Sequence, residues 1–172
     1  MEAQLRRGTQ VRVAMGLPEF EPKKIPLKVE HERKIYAANI NGQRLQFGAV
    51  AVGNPHAVIE VEDVKLAEIA DVGSAVQQSR LFPEGVNVGF VQILSQTEIR
   101  LRVFERGVGE TPACGTGACG AVAVCHRWQL IEDRVKVELP GGKLTIEWDG
   151  GIAEGIWMTG PAEHVFTGEI NL

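Results

Sequence analysis

Cysteine is scarce in this chain: three residues in 172, an odd number with none of the density of a disulfide-stapled domain. That excludes the small secreted scaffolds and points to a reducing compartment, read as the cytoplasm. Long apolar runs are missing too; none approaches the ~20 residues a membrane helix needs, so no membrane partner is expected. The first residues, "MEAQLRRGTQ", hold no apolar stretch after their charges, unlike a secretory leader. Basic excess is lacking as well. Lys and Arg total 18 against 22 Asp and Glu, a net charge of -4, which argues against nucleic acid as a partner. There is no internal repeat and no low-complexity segment, and the length suits one domain.

What is present is a globular balance, 44% hydrophobic and 23% charged, able to bury a real core. "GTQVRVAMG" (8–16) alternates apolar and polar residues as a half-buried strand does. "LPEFEPKKIPLKV" carries three prolines, which predicts an extended connector. "KIYAANINGQRLQFGAVAVGN" reads as two strands joined by an Asn41-Gly42 hairpin turn, and "NPHAVIEVE" as a further strand. Asp63 is an N-cap candidate before "VKLAEIADVGSAVQQSR", whose apolar spacing is helical. "GVNVGFVQIL" and "EIRLRVFERG" read as strands, and Cys119 to Leu130 as a small-residue helix buried nearly all round. The remainder, through Ile170, is a meander with Pro-Gly-Gly and Asp-Gly-Gly turns. Only a surrounding sheet can bury that second helix. The fold class is α+β, a curved sheet around a central helix.

All three cysteines crowd into "ETPACGTGACGAVAVCHRW" (110–128). Cys114 is followed by Gly115-Thr116-Gly117, where the helix begins. Glycines let backbone N–H groups turn towards a ligand, and a helix N-terminus favours an anion. A thiol at that point feels the same dipole, which predicts a pKa below the free value of about 8.5. The loop therefore offers amides for a carboxylate beside a thiolate. The same residues equally describe a tight turn around a buried thiol. Cys119 and Cys125, among Ala and Val, read as packing. The spacing C-x4-C-x5-C matches no zinc pattern and the P-loop lysine is absent, so neither a metal nor a phosphate cradle is expected.

Three other stretches carry polar groups where scaffold has little use for them. "GNPHAV" (53–58) sets Asn54 and His56 on a rigid proline corner. "VNVGF" (86–90) places Asn87 in the middle of an apolar strand, where its amide needs a partner. "ERGVGET" (105–111) puts Glu105 and Arg106 at a strand end, a short loop before Cys114.

Together "GNPHAV", "NVGF", "RLRVFERGVGETPACGTGACGAVAV", "VELPGGKLTIEW" and "MTGPAEHVFTGEI" stand in the order found in diaminopimelate epimerases, which the chain resembles from about Gly8 onward. The resemblance implies a cofactor-independent enzyme that interconverts LL- and meso-diaminopimelate for lysine and peptidoglycan synthesis. It implies a mixed, mostly antiparallel barrel-like sheet, with residues 1–172 similar to the family's C-terminal domain. Cys114 would be one of two cysteines working as acid and base at the α-carbon. Glu105 and His56 would be catalytic too, holding the reacting amino group and supporting proton transfer. Asn54, Asn87 and Arg106 would fix the distal end, and Gly115 and Thr116 the α-carboxylate.

The other family cysteine belongs to an upstream half, and nothing in residues 1–50 matches it. The expectation is therefore a C-terminal catalytic half, inactive alone, whose partner is the missing N-terminal domain. In the family the last strand, "HVFTGEINL" (164–172), returns to that domain; a homodimer pairing through it is the alternative. Two other functions remain open. One is a proline racemase-like enzyme, which shares the Cys-Gly-Thr-Gly loop but has no distal zwitterion for Asn54, Asn87 and Arg106 to hold. The other is a non-enzymatic binding or dimerisation domain with an inert Cys114.

Overall fold

A computed structural model describes residues 2–6 and 8–170. Its first five strands are β1 (Ala3–Leu5), β2 (Gln10–Gly16), β3 (Tyr36–Ile40), β4 (Gln43–Ala51) and β5 (Pro55–Glu60). Helix α1 (Ile69–Gln77) follows, then β6 (Asn87–Ser95), β7 (Glu98–Glu105) and β8 (Gly109–Thr111). Helix α2 (Gly115–Arg127) leads into β9 (Arg134–Leu139), β10 (Gly142–Glu147) and β11 (Ile156–Pro161).

The strands join in the order β1-β2-β11-β10-β9-β7-β6-β5-β4-β3, with β8 added to β7. Pairs β5/β6 and β7/β9 are parallel; the other described pairs are antiparallel. The expected α+β architecture is what forms. The sheet wraps α2, which touches β4, β5, β6, β7, β10 and β11. Residues Gly117 to Cys125 are all buried, because Ala, Val, Gly and Cys present apolar surface on every side of the helix.

Strands β4 to β6 are covered on both faces, which explains why they read as nearly unbroken apolar runs. Val50, Val58 and Val91 face the core around α2, while Ala49, Ala57 and Phe90 face a second core shared with α1. Close approach of α2 to the sheet demands a missing side chain at Gly48, where a Cβ would stand 2.3 Å from Val124. The hairpin turn at Asn41 and Gly42 takes φ values of 50° and 83°, as a two-residue turn between twisted strands requires. Among the described residues no helix is long and apolar enough to cross a membrane.

Several expectations are corrected. Helix α1 begins at Ile69, not beside Asp63; the Asp63 carboxylate instead accepts from the Lys65 amide at 2.9 Å in a local turn. Short polar side chains compete with helices in this way. Helix α2 starts at Gly115, as the Gly-Thr-Gly turn implies, but ends at Arg127, before the expected Leu130. The proline-rich connector is not simply extended: Pro22 to Pro26 form a turn that drives Ile25 and Leu27 into the second core. The meander stops at Pro161. Residues 162–170 form no strand; Asn171 and Leu172 lie outside the described residues. Strands β1 and β8 are additional.

Candidate active site

Cys114 is the N-cap of α2, with extended backbone (φ -140°, ψ 107°). The chain then turns into the helix, and the first intrahelical bond runs from the Ala118 amide to the Cys114 carbonyl at 2.9 Å. The amides of Gly115, Thr116 and Gly117 precede that bond and have no helical partner by position. The Gly117 amide turns to the Cys114 sulfur. Those of Gly115 and Thr116 remain for an anion, in a first turn that holds no acidic side chain.

The thiol lies against a carboxylate. Cys114 Sγ donates to Glu105 Oε2 at 3.4 Å and lies 3.6 Å from Thr116 Oγ1. Burial pushes the Cys114 thiol up, and the Glu105 charge adds to that; Thr116 and the Gly117 amide pull the other way without prevailing. The helix dipole alone predicts the opposite direction. Cys114, however, is only 7% exposed and faces a carboxylate, both of which favour the neutral thiol. Cys119 and Cys125 are fully buried, and burial pushes both thiols up to about 12. They are packing, as expected.

His56 is the second residue of β5, at the strand's start as the proline corner implies, and is 2% exposed. Its ring packs against α2 at Gly120, where a Cβ would stand 3.2 Å from His56 Cγ. Burial lowers its pKa to about 4, so the imidazole is neutral. Nε2 lies 2.9 Å from Asn54 Oδ1, an acceptor, so that nitrogen carries the proton.

Asn87 is the first residue of β6 and stands opposite His56 in the parallel register. It is not mid-strand, and its amide is already partnered: Nδ2 donates to the Pro55 carbonyl at 3.3 Å, and Oδ1 accepts from the Arg106 amide at 2.9 Å. The Arg106 guanidinium donates to the Glu84 carbonyl at 2.6 Å and crosses Gly85, which has no side chain to block it.

Glu105, Cys114, Gly115 and Thr116 therefore form one cluster at the head of α2. Asn54 with His56, and Asn87 with Arg106, form two pairs at the neighbouring strand ends. Sequence reasoning missed two members. Thr111 donates its hydroxyl to Glu105 Oε1, and Gln77 of α1 donates to the Val86 and Phe104 carbonyls, next to Asn87 and Glu105. Thr111 carried a signal, a hydroxyl three residues before the cysteine; Gln77 carried none. A concavity of about 400 Å³ lies at the other end of α2, lined by Ile35, Gln46, Glu60 and Trp128 among others, and includes none of these residues.

A sequence model described as diaminopimelate epimerase matches residues 48–165, from β4 to just beyond β11. The chain belongs to the diaminopimelate epimerase family. It is 52% identical over 165 residues to the diaminopimelate epimerase of Xanthomonas euvesicatoria pv. vesicatoria (strain 85-10), and equally to that of Xanthomonas axonopodis pv. citri (strain 306). Each match covers 95% of this chain and 58% of the relative. The family's sequences thus extend well past the length described by these residues. Among solved structures, a probable proline racemase from Agrobacterium radiobacter K84 superposes with a TM-score of 0.66 at 19% identity, covering 99% of this chain and 56% of that one. A phenazine biosynthesis protein of the PhzF family from Enterococcus faecalis gives 0.57 at 18%, covering 99% and 60%. At such identities these two neighbours establish the fold shared with the epimerase family and nothing more.

Proposed function

We propose that this chain supplies one face of the active site of a cofactor-independent epimerase that interconverts LL- and meso-diaminopimelate. The observation that carries the reading is the Cys114 thiol against the Glu105 carboxylate, at the N-terminus of an apolar helix inside a family of epimerases. Inversion at an α-carbon breaks a C–H bond on one face and forms one on the other. A thiolate on one side takes the proton and becomes S–H. The electron pair stays on the carbon and spreads into the carboxylate, and a thiol opposite delivers its proton. No electron leaves, so no redox cofactor is required.

In this scheme the Gly115 and Thr116 amides and the α2 dipole hold the carboxylate as it gains charge, and one such donor is worth roughly 3 kcal/mol in a desolvated site. Glu105 accepts from the substrate's amino group. His56, whose protonated nitrogen is committed to Asn54, keeps that asparagine in place. Arg106 and Asn54 meet the distal carboxylate and ammonium, with Asn87 setting the Arg106 backbone. The substrate's arrival displaces the Glu105 hydrogen bond and frees the thiol to ionise.

The second thiol must lie across the substrate. Cys119 and Cys125 are sealed inside α2, so it comes from a portion of the protein outside these 172 residues. The exposed segment 162–170, with Val165, Phe166 and Ile170 bare, is the natural strap to that portion; a second copy of the chain is the alternative occupant. A cytoplasmic setting follows from three unpaired thiols.

Substrate choice tests the reading. In a protein extended to the relatives' full length, deuterium from D2O enters the α-carbon of LL-diaminopimelate and not that of proline, because proline leaves Asn54 and Arg106 unmatched. NMR of the α-proton reads both. Preference for proline would replace this proposal with the racemase reading.

A further inference from the structure

The three-residue strand β8 owes its place to diagonal pairs on both faces. Its register sets Thr111 opposite Val103 and Glu110 opposite Phe104. Side chains two residues apart share a face, and diagonal neighbours across an antiparallel pair are within reach. On one face Glu110 receives a two-pronged grip from Arg102, at 2.6 and 2.8 Å, and Arg102 also donates to the Val64 carbonyl at 2.9 Å. On the other face Thr111 meets Glu105. That second face looks at α2: Val103 stands 3.1 Å from where a Gly117 Cβ would be. The arginine fork therefore holds the strand that carries Thr111 to the head of the helix.

We propose that Thr111 is a positioning residue: its hydroxyl occupies Glu105 Oε1 and thereby holds Oε2 on the Cys114 thiol. A carboxylate on a stem of two methylenes rotates freely when exposed, and its side-chain entropy favours release to water. One hydroxyl donor removes that freedom at about 1 kcal/mol. With Glu105 fixed, the thiol is kept protonated until substrate takes its place. Without the hydroxyl, Glu105 swings away and the thiol loses both its acceptor and the nearby negative charge. Other titratable groups do not substitute. Cys119 faces the thiol from α2 but is itself neutral; β11 contributes Met158 against Gly115; and His56, neutral, lies further along the helix at Gly120.

This proposal rests on the reading of Cys114 as the reacting thiol, but its test needs no turnover. The rate of Cys114 alkylation by iodoacetamide is followed across pH by peptide mass spectrometry in the 172-residue protein. Thr111→Val raises the rate at neutral pH by on the order of tenfold, as expected for losing a neighbouring like charge, and Thr111→Ser restores the wild-type profile. In a Glu105→Gln background Thr111→Val changes nothing further. A wild-type rate in Thr111→Val, or the same gain in the Glu105→Gln background, overturns the proposal. Labelling of Cys119 or Cys125 reports an opened fold; Thr111→Ala is then scored by the same two criteria. Failure here leaves the substrate test above untouched, and failure there leaves this coupling measurable.

Discussion

Cys114→Ala, made in a protein of the relatives' full length, lowers epimerisation of LL-diaminopimelate by roughly 10²- to 10⁴-fold, the worth of a positioned proton-transfer group. The loss falls on kcat with little change in KM. Substrate is held by the Gly115 and Thr116 amides and by Arg106, none of which needs the sulfur. Folding is preserved, because the first bond of α2 runs from the Ala118 amide to the backbone carbonyl of residue 114, and alanine fills the same pocket with a smaller apolar group. Cys114→Ser is equally inactive: the hydroxyl keeps the hydrogen bond to Glu105 but ionises far too reluctantly to act as base. Steady-state kinetics with circular dichroism on both variants read this. Retention of activity within a few fold by either variant contradicts the role.

Between pH 6.5 and 4 the protein loses about 3 kcal/mol of stability through His56 alone, from the lowering of its pKa to about 4. The sign follows from which state holds the proton. Unfolded, the imidazole protonates near 6.5; folded, it resists protonation down to about 4. The unfolded state therefore binds more protons throughout this window. The full contribution is present above 6.5 and is lost as pH falls through the folded value. His56→Gln keeps an N–H for Asn54 and cannot titrate, so its urea midpoint stays level until the pH falls below the ordinary carboxylate range, where Glu19 and Glu138, held lower by Lys24 and Arg100, start to lose their stabilising contribution. Parallel pH profiles for the two proteins would remove His56 as the cause.

Much of this fold was legible because its signals were local. Asn41-Gly42 specifies one turn and one register, and the run from Gly117 to Cys125 has no polar face to offer solvent, which forces a helix with walls on every side. The start of α1 was not legible. Asp63 has the chemistry of a cap, and only the tertiary position of Val64 and Arg102 shows that a turn uses it first. Strand β8 escaped notice because three residues carry no periodicity; the Arg102–Glu110 fork that fixes it spans eight positions. At the site, the motif order points to the candidate residues but says nothing of their partnerships. Nothing in "VNVGF" tells that the Asn87 amide is engaged by Pro55 and Arg106. Nothing in "CGTG" tells that burial and Glu105 outweigh the helix dipole at Cys114. Burial and neighbouring charge are properties of the assembled sheet, and they reverse the direction that helix position alone would set.

On the proposed mechanism this chain holds one thiol of a two-thiol proton transfer. That assignment is tested most directly by incubating the 172-residue protein with LL-diaminopimelate in D2O and following the α-proton by NMR and the diastereomers by chromatography. The account predicts no meso-diaminopimelate above the buffer control, and recovery of inversion with deuterium at the α-carbon once the rest of the family's length is restored. Formation of deuterated meso-diaminopimelate by the 172 residues alone, with turnover, would contradict it.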